Sequence, residues 1–304
     1  MSSKLSQILH KIVKSTIHLK PTSSIEAGSI IKEHLVSQDP CMIARFGSTE
    51  IKAIIYPNTP FFLKGVLKKM MNYNATTKEF SNMKILSGFF PSNSQTITRF
   101  SELMYQDMKL LDVLGSWRFE ERFLVSHFKK STIVKLDALE PYLQKNPWSE
   151  ALEGKKVLVI HPFNKTIEQQ YHNKRTLLFR DPRVLPAFAS LQTIKAVQTL
   201  AGNKVAFKDW FEALDFMKKQ IDQKDFDIAI IGAGAYGFPL AAHIKRMGKK
   251  AIHMGGPTQM LFGIKGKRWV DNPKFKDIIN EHFIVPSDED VIKDATKVED
   301  GCYW

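Results

Sequence analysis

Apolar runs that each end in small or polar residues predict buried strands. They are CMIARFGS at 41–48, KILSGFFPS at 84–92, KKVLVIHPF at 155–163, FDIAIIGAGAYG at 226–237 and the shorter KKAIHMGG at 249–256. Stretches with helical spacing lie at 97–111, 190–202, 209–224 and 238–247. Strands alternating with helices predict an α/β fold with a mostly parallel sheet flanked by helices.

The first twenty residues have the pattern of an amphipathic basic helix. Apolar side chains recur at helical spacing, at Leu5, Ile8, Leu9, Ile12, Val13 and Ile17, and lysines 4, 11, 14 and 20 lie mostly off that face. Such a helix either docks on the rest of the protein or adsorbs to an anionic membrane surface. Both interpretations are open from the sequence.

The stretch 138–153, which contains two prolines and precedes Gly154, is the best candidate for a linker. A soft boundary near residue 150 would separate an N-terminal α/β part, 1–150, from a nucleotide-binding part, 151–304. One compact domain is the alternative. No internal repeat is evident.

Composition narrows the class of protein. The chain has 304 residues, 43% hydrophobic and 25% charged, and only two cysteines, so neither a disulfide framework nor a cysteine zinc site is indicated. No run of 18 apolar residues occurs. We therefore expect a cytoplasmic protein, which the first helix could place at the inner face of the cell membrane.

The formal net charge of +13 attracts anions, whether nucleic acid, acidic lipid or phosphorylated small molecules. The basic residues are scattered over many predicted elements rather than concentrated on one helix, so we expect no nucleic-acid partner.

The segment GAGAYG places Gly232, Gly234 and Gly237 in a G-x-G-x-x-G pattern between a predicted strand and a predicted helix. That pattern is typical of a turn that contacts phosphate, although a structural tight turn is the alternative. NAD(P) binding would need an acidic residue about 20 positions later. The next strand instead ends at Gly255 and Gly256, so no nicotinamide cofactor is expected.

Gly255 and Gly256 open the segment GGPTQMLFGIKGKRW at 255–269, which combines glycines, an amide and clustered cations. Gln259, Lys265, Lys267 and Arg268 could bind a pyrophosphate, because N–H dipoles and cationic groups both stabilise its charge. A solvated basic loop is the alternative.

RFGSTE at 45–50 places Arg45 at a strand end, Gly47 and Ser48 in the turn, and Glu50 in the first turn of a helix. A carboxylate there can be a general base or a metal ligand, or only cap the helix. His161, which ends another strand, could bind phosphate or relay a proton, or be a structural histidine.

Two aromatic clusters, WRFEERF at 117–123 and Trp210–Phe211, could stack on a sugar. The helical spacing of Trp210, Phe211 and Leu214 fits core packing better, and we predict that both clusters are core.

The segments RFGSTE, HPFNKTIEQQY, FDIAIIGAGAYGFPLAAHIKRMGKKAIHMGG and VEDGCYW give the chain a resemblance to a known family. It resembles bacterial GT-D-fold glycosyltransferases associated with surface-polysaccharide (O-antigen or capsule) biosynthesis, most densely from 155 to 304. The resemblance implies a Rossmann-like hexosyltransferase that moves a sugar from a nucleotide-sugar donor, UDP-linked, to a saccharide or lipid-linked acceptor.

Some members of that family carry an Asp-x-Glu pair after Arg-Phe-Gly, and the pair handles the metal and the diphosphate. Here Ser48 stands in the Asp position and Glu50 alone remains. One carboxylate and a hydroxyl bind Mn²⁺ or Mg²⁺ more weakly than two carboxylates do. We therefore expect cations and glycine N–H groups to hold the diphosphate. Glu50 would be the catalytic carboxylate or a weak metal ligand, and His161 a second catalytic candidate.

Two other functions are open. GAGAYG motivates an NAD(P)-dependent oxidoreductase, and the net charge together with the first helix motivates a non-enzymatic module that binds anionic polymers or lipid.

Overall fold

The computed structural model describes residues 19–57, 77–199, 203, 205–291 and 301–303. Its strands are β1 Cys41–Ala44, β2 Val113–Ser116, β3 Thr132–Lys135, β4 Lys156–His161, β5 Ser190–Lys195, β6 Ile228–Ile231 and β7 Lys250–His253. All seven form one sheet in the order β3-β2-β1-β7-β6-β4-β5, and every neighbouring pair is parallel.

Helices cover both faces of this sheet. The longer ones are α1 Ser24–Val36, α2 Ser48–Ile55, α3 Thr77–Ser87, α4 Ser94–Met108, α5 Asn164–Leu178, α6 Trp210–Asp222 and α7 Gly237–Arg246. Two single-turn helices follow β7, α8 Thr258–Leu261 and α9 Lys267–Val270. Within the described ranges, no helix is long and apolar enough to span a bilayer.

Alternating strand residues feed two apolar layers, one on each face. In β4, Leu158 and Ile160 join the layer formed with α2, α4, α6 and α7, while Val157 and Val159 face the layer formed with α1 and α5. Parallel strands buried on both faces have continuous apolar sequences, which is why β1, β4, β6 and β7 could be predicted. The predicted α/β class with a mostly parallel sheet is confirmed.

Two predicted elements are wrong. Residues 84–92, predicted as a strand, are the end of α3 and the turn into α4, and the backbone N–H of Phe89 donates to the carbonyl of Met83 at 2.9 Å. The turn places Phe89 in an aromatic cluster with Phe100 and Trp210. Residues 190–202, predicted as a helix, begin with the edge strand β5.

The stretch predicted as a linker, 138–153, contains three short 3-10 turns whose apolar side chains are buried, Trp148 and Leu152 among them. The boundary near residue 150 stays a prediction, but strands from both sides of it are neighbours in one sheet. The predicted basic helix at the start of the chain lies outside the described residues.

The strand order reverses next to β1. From β1 the chain builds outward through β2 to β3, and the later strands lie on its other side, beginning with β7. In open α/β sheets, ligands bind beyond the carboxyl ends of the strands at such a switch point, because the loops diverge there and leave a crevice. The fold therefore directs attention to the residues that follow β1 and β7.

A buried ion pair joins α4 to α7. The Asp107 carboxylate is fully buried and lies 2.5 Å from Nη2 of Arg246. Burial raises the pKa of Asp107 to about 6, although the hydrogen bond and charge of Arg246 act in the opposite direction. Because this pKa is above the ordinary value of an aspartate, the folded state holds the proton more tightly than the unfolded state does.

We therefore predict that part of the folding stability is lost as the pH rises through the range from about 4 to about 6. A pKa rise of about two pH units corresponds to about 3 kcal/mol. Relative to the parent, Asp107→Asn should gain about that much free energy of unfolding between about pH 3 and pH 7. Urea unfolding measured at several pH values tests this, with Asp215→Asn as a control for net charge. Parallel pH profiles of parent and Asp107→Asn would contradict it.

Candidate functional site

A cavity of about 630 Å³ opens where the loops after β1, β4, β6 and β7 converge. Eleven of the residues predicted for the site line it: Arg45, Gly47, Ser48, Glu50, His161, Gly232, Gly234, Gly255, Gly256, Gln259 and Arg268. These come from four separate segments, so the parallel sheet brings together residues that are up to 223 positions apart in the chain.

Three predicted residues lie outside the cavity lining. Gly237 packs against the ring of His253, since a Cβ built on it would lie 2.1 Å from the imidazole Cε1. Lys267 is exposed on α9, and the backbone N–H of the half-buried Lys265 donates to the carbonyl of Ile284. Of the predicted basic cluster, Arg268 alone lines the cavity.

Arg45 lies at the switch point itself. Its side chain lines the cavity, and its Nη1 is 3.3 Å from where a Cβ on Gly255 would be, so the guanidinium rests against the backbone that follows β7. Nε and Nη2 both donate to the carbonyl of Phe46, at 3.2 and 3.1 Å. Burial lowers the pKa of Arg45, and the charge of Glu50 is the largest opposing influence. The guanidinium remains charged, since an arginine pKa is far above neutrality.

The Glu50 carboxylate folds back over Gly47. A Cβ on Gly47 would lie 1.9 Å from Glu50 Oε2, although the backbone there (φ −75°, ψ 150°) is open to any residue. Burial raises the pKa of Glu50, while the backbone N–H groups of Glu50 and Thr49, the charge of Arg45 and the hydroxyl of Ser87 oppose that rise. Gly47 therefore leaves the room that this arrangement needs.

Trp117, predicted as core, is instead 42% exposed and lines the cavity, so that prediction is wrong for this residue. Its indole Nε1–H donates to the carbonyl of Phe46 at 2.9 Å. The guanidinium carbons of Arg45 and Arg118 lie 4.8 and 5.1 Å from the ring centroid. The two glutamates of the segment 117–123 are buried instead. Glu121 accepts hydrogen bonds from the backbone N–H groups of Trp117 and Arg118.

The second aromatic pair is core, as predicted. Trp210 is fully buried and Phe211 is 6% exposed, and the Trp210 ring stacks on Tyr236 with centroids 4.8 Å apart. Trp210 thus packs against Tyr236, which belongs to the glycine turn after β6.

Two neutral histidines line the cavity, and burial lowers the pKa of each to about 3. Nδ1 of His161 accepts a hydrogen bond from the Phe163 N–H at 3.0 Å, which assigns the ring hydrogen to Nε2. Nδ1 of His253 lies 3.3 Å from the carbonyl of Ile231, which assigns the hydrogen to Nδ1 and leaves Nε2 as an acceptor. His161 is therefore a hydrogen-bond donor at neutral pH, and its predicted catalytic role stays a prediction.

A third carboxylate, Glu140, also lines the cavity and is 9% exposed. The hydroxyl of Tyr142 donates to its Oε2 at 2.8 Å. Burial raises the pKa of Glu140, while Tyr142, Lys274 and Arg45 favour its ionised form.

The segment 301–303 forms part of the cavity wall. Tyr303 packs against Gly256, where a Cβ would lie 2.7 Å from the phenol ring. Its carbonyl accepts a hydrogen bond from Nε2 of Gln259 at 3.0 Å, and its hydroxyl accepts one from Nη1 of Arg268 at 3.1 Å. These contacts give Gln259 a positioning role that the sequence could not show.

Sequence reasoning missed four of these residues: Glu140, His253, Lys274 and Tyr303. His253 could have been found, because it ends a predicted strand as His161 does. The other three follow no apolar run.

The described residues do not form a metal site of their own. Among them, no three His, Cys, Asp or Glu side chains come together in a way that could hold a metal ion. The backbone N–H groups of Thr49 and Glu50, the Ser87 hydroxyl and the charge of Arg45 favour the ionised form of Glu50. One carboxylate does not by itself make a site for a divalent cation, and a Mn²⁺ or Mg²⁺ site at Glu50 stays a prediction.

No protein-family model matches the chain. A curated protein, the phosphoserine aminotransferase of Azobacteroides pseudotrichonymphae genomovar CFP2, is 34% identical over 65 residues. That match spans 21% of this chain and 18% of the aminotransferase, so it concerns one short segment.

Solved structures of the domain of unknown function 1792 are similar to this chain. A selenomethionine-substituted one has a TM-score of 0.45 at 13% identity and covers 95% of this chain and 96% of its own. Another, described as having a distinct glycosyltransferase fold, has a TM-score of 0.41 at 15% identity and covers 84% of this chain and 82% of its own. A third, described as a new glycosyltransferase from Streptococcus sanguinis, has a TM-score of 0.40 at 11% identity and covers 90% of this chain and 96% of its own. The α/β fold of this chain follows from its own parallel strand order.

A double-mutant cycle tests the packing of Glu50 over Gly47. Gly47→Ala should destabilise the protein, because its Cβ would displace the carboxylate from the first turn of α2. In a Glu50→Ala background the same change should cost less, with a coupling free energy of roughly 0.5 to 1 kcal/mol, because the end of the Glu50 side chain can move aside. Thermal or urea unfolding of the four proteins measures it. Equal costs in both backgrounds would show that the two residues do not interact.

Proposed function

We propose that the protein is a glycosyltransferase that moves a sugar from a UDP-linked donor to a saccharide or lipid-linked acceptor. The observation that carries the proposal is the position of Arg45, a partly desolvated guanidinium against Gly255 at the β1–β7 switch point. A fixed cation beside closely approachable backbone suits a diphosphate, whose charge grows as it leaves the sugar.

Around this centre the cavity has a second cation and a neutral donor. Arg268 lies on the wall held by Tyr303, and the Nε2–H of His161 supplies a hydrogen-bond donor without a charge. In the proposed complex, Arg45 and Arg268 hold the diphosphate and lower the energy of the leaving group. Gly234, where the nearest atom to a Cβ would be 3.7 Å away, allows the donor to approach the backbone. At Gly232 and Gly255 the side chains of His161 and Arg45 pack against the backbone instead.

Trp117 extends the same proposal. An exposed indole that is held by a hydrogen bond to Phe46 offers a rigid apolar surface to a sugar ring or to a base.

Several finer points belong to the proposal as well. The transferred sugar is a hexose, the product belongs to a surface polysaccharide, and the basic segment 4–20 holds the protein at the inner, anionic face of the membrane. A lipid-linked acceptor would be available there. The solved structures that resemble the chain include proteins described as glycosyltransferases, but the proposal rests on the cavity.

The NAD(P) alternative fits the cavity less well. A dinucleotide would need an acidic side chain at the end of the strand after the glycine turn, and β7 ends at His253. Gly237, the third glycine of the pattern, is covered by that histidine.

We predict that UDP binds in the cavity and that Arg45→Gln weakens the binding roughly 10- to 100-fold, about 1.4 to 2.8 kcal/mol. Titration calorimetry with UDP measures this, with Arg180→Gln as the control. Arg180 is exposed, lies outside the cavity lining and carries the same charge. Because the described donors do not form a metal site, UDP binding should persist in EDTA.

Two outcomes would contradict this prediction. Equal effects of the two substitutions would remove Arg45 from the site. Binding of NADPH with no binding of UDP, with or without Mn²⁺, would favour the oxidoreductase over the glycosyltransferase.

A further inference from the structure

Resting on the proposed function, we infer that Glu140, not Glu50, is the general base that takes the proton of the attacking hydroxyl group. Glu140 is provided by the chain after β3. The Tyr142 hydroxyl that donates to it also lies 3.3 Å from the carbonyl of Pro257, so Glu140 reaches the loop that follows β7.

One oxygen of the Glu140 carboxylate is open to a ligand. Its Oε2 accepts one hydrogen bond, from Tyr142, and no donor in the described part of the chain bonds its Oε1. Glu140 nevertheless lines the cavity and is 9% exposed. A buried carboxylate with one fixed and one free oxygen is positioned to accept a hydrogen bond from a ligand hydroxyl.

Glu50 has less freedom. Its carboxylate folds back over Gly47, where the backbone N–H groups of Thr49 and Glu50 and the Ser87 hydroxyl favour its ionised form. To take a proton from an acceptor it would have to turn away from these groups. This setting suits a residue whose negative charge stabilises the charge of Arg45.

The charges around Glu140 also suit a general base. Lys274 from the turn 273–275 and Arg45 from the end of β1 favour its ionised form, as does the hydrogen bond from Tyr142, and Asp137 opposes it. Burial outweighs them and raises the pKa of Glu140 above that of an ordinary glutamate. A carboxylate of higher pKa is a stronger base toward the proton that it accepts.

The acceptor oxygen forms a bond to the anomeric carbon, and its proton passes to Oε1 of Glu140. The bond from the anomeric carbon to the phosphate oxygen breaks, and its electron pair leaves with UDP, whose charge Arg45 and Arg268 stabilise. With water as the acceptor, the same step yields free sugar and UDP.

The test measures two quantities on the full chain: UDP release from UDP-glucose, UDP-galactose and UDP-N-acetylglucosamine with water as acceptor, and UDP affinity by calorimetry. We expect Glu140→Gln to lower UDP release roughly 100-fold or more, with UDP affinity unchanged within a few-fold. Glu50→Gln should lower UDP release by much less than Glu140→Gln does, because Glu50 does not take the proton. Glu153→Gln, at an exposed residue outside the cavity lining, controls for the lost charge and should match the parent.

The pH profile adds a readout that a structural role would not move. In the parent, UDP release should rise with pH as the carboxyl group of Glu140 ionises, and Glu140→Gln should lack that rise. If Glu140→Gln does not fold, Glu140→Asp should show a partial loss of UDP release with UDP affinity retained.

Each other outcome counts against the inference. It is overturned if Glu140→Gln releases UDP at the parental rate, if it loses UDP release and UDP affinity together while remaining folded, or if the parent binds UDP but releases none from the three donors. A parent that neither binds UDP nor releases it overturns the proposed function as well.

Discussion

A guanidinium that has lost much of its water needs neighbours that keep its charge favourable, and the cavity is organised around that requirement at Arg45. The carboxylates of Glu50 and Glu140, which come from different parts of the chain, oppose the lowering of the Arg45 pKa by burial. Arg268, also on the wall, acts in the same direction as burial. The two guanidinium groups give the cavity the positive charge that suits a diphosphate.

This arrangement requires two side chains to pack directly against the backbone of glycines. The carboxylate of Glu50 can cap α2 and face Arg45 because residue 47 has no side chain. On the opposite wall, Gly256 leaves room for the ring of Tyr303, so the segment 301–303 can join the loops that follow β7. Glycine occupies these two positions because neighbouring side chains fill the space that a Cβ would take, and the phosphate-contact role of Gly256 stays a prediction.

The sequence predicts the centre of the sheet and misses its edges. The strands β1, β4, β6 and β7 are buried on both faces and have continuous apolar runs, whereas β5 is an edge strand whose sequence SLQTIK is half polar. KILSGFFPS has the composition of a strand, but the helix α3 ends there just before Gly88, whose φ is 67°, and the N–H of Phe89 closes the last turn on the carbonyl of Met83. A glycine in this conformation is a common end of a helix, and the apolar run around it hid that local signal.

The candidate site follows the same rule. Residues directly after apolar strands, such as Arg45, Glu50 and His161, were identifiable because parallel strands bring their carboxyl ends to one edge. Glu140 comes after a short turn, and no local pattern marks it. Tyr303 belongs to the segment VEDGCYW, which the family resemblance includes, but the sequence could not show that this segment reaches the cavity from the far end of the chain. In the sequence, Lys265, Lys267 and Arg268 are equal candidates for phosphate binding. The fold of the chain around α9 brings only Arg268 of the three to the cavity lining.

A crystal structure of the protein with UDP tests the central claim most directly. The account predicts that the diphosphate lies between the loops after β1 and β7, with an oxygen about 3 Å from a nitrogen of Arg45. A diphosphate bound elsewhere, for example in the groove lined by Lys195, Phe207 and Phe216, would contradict it.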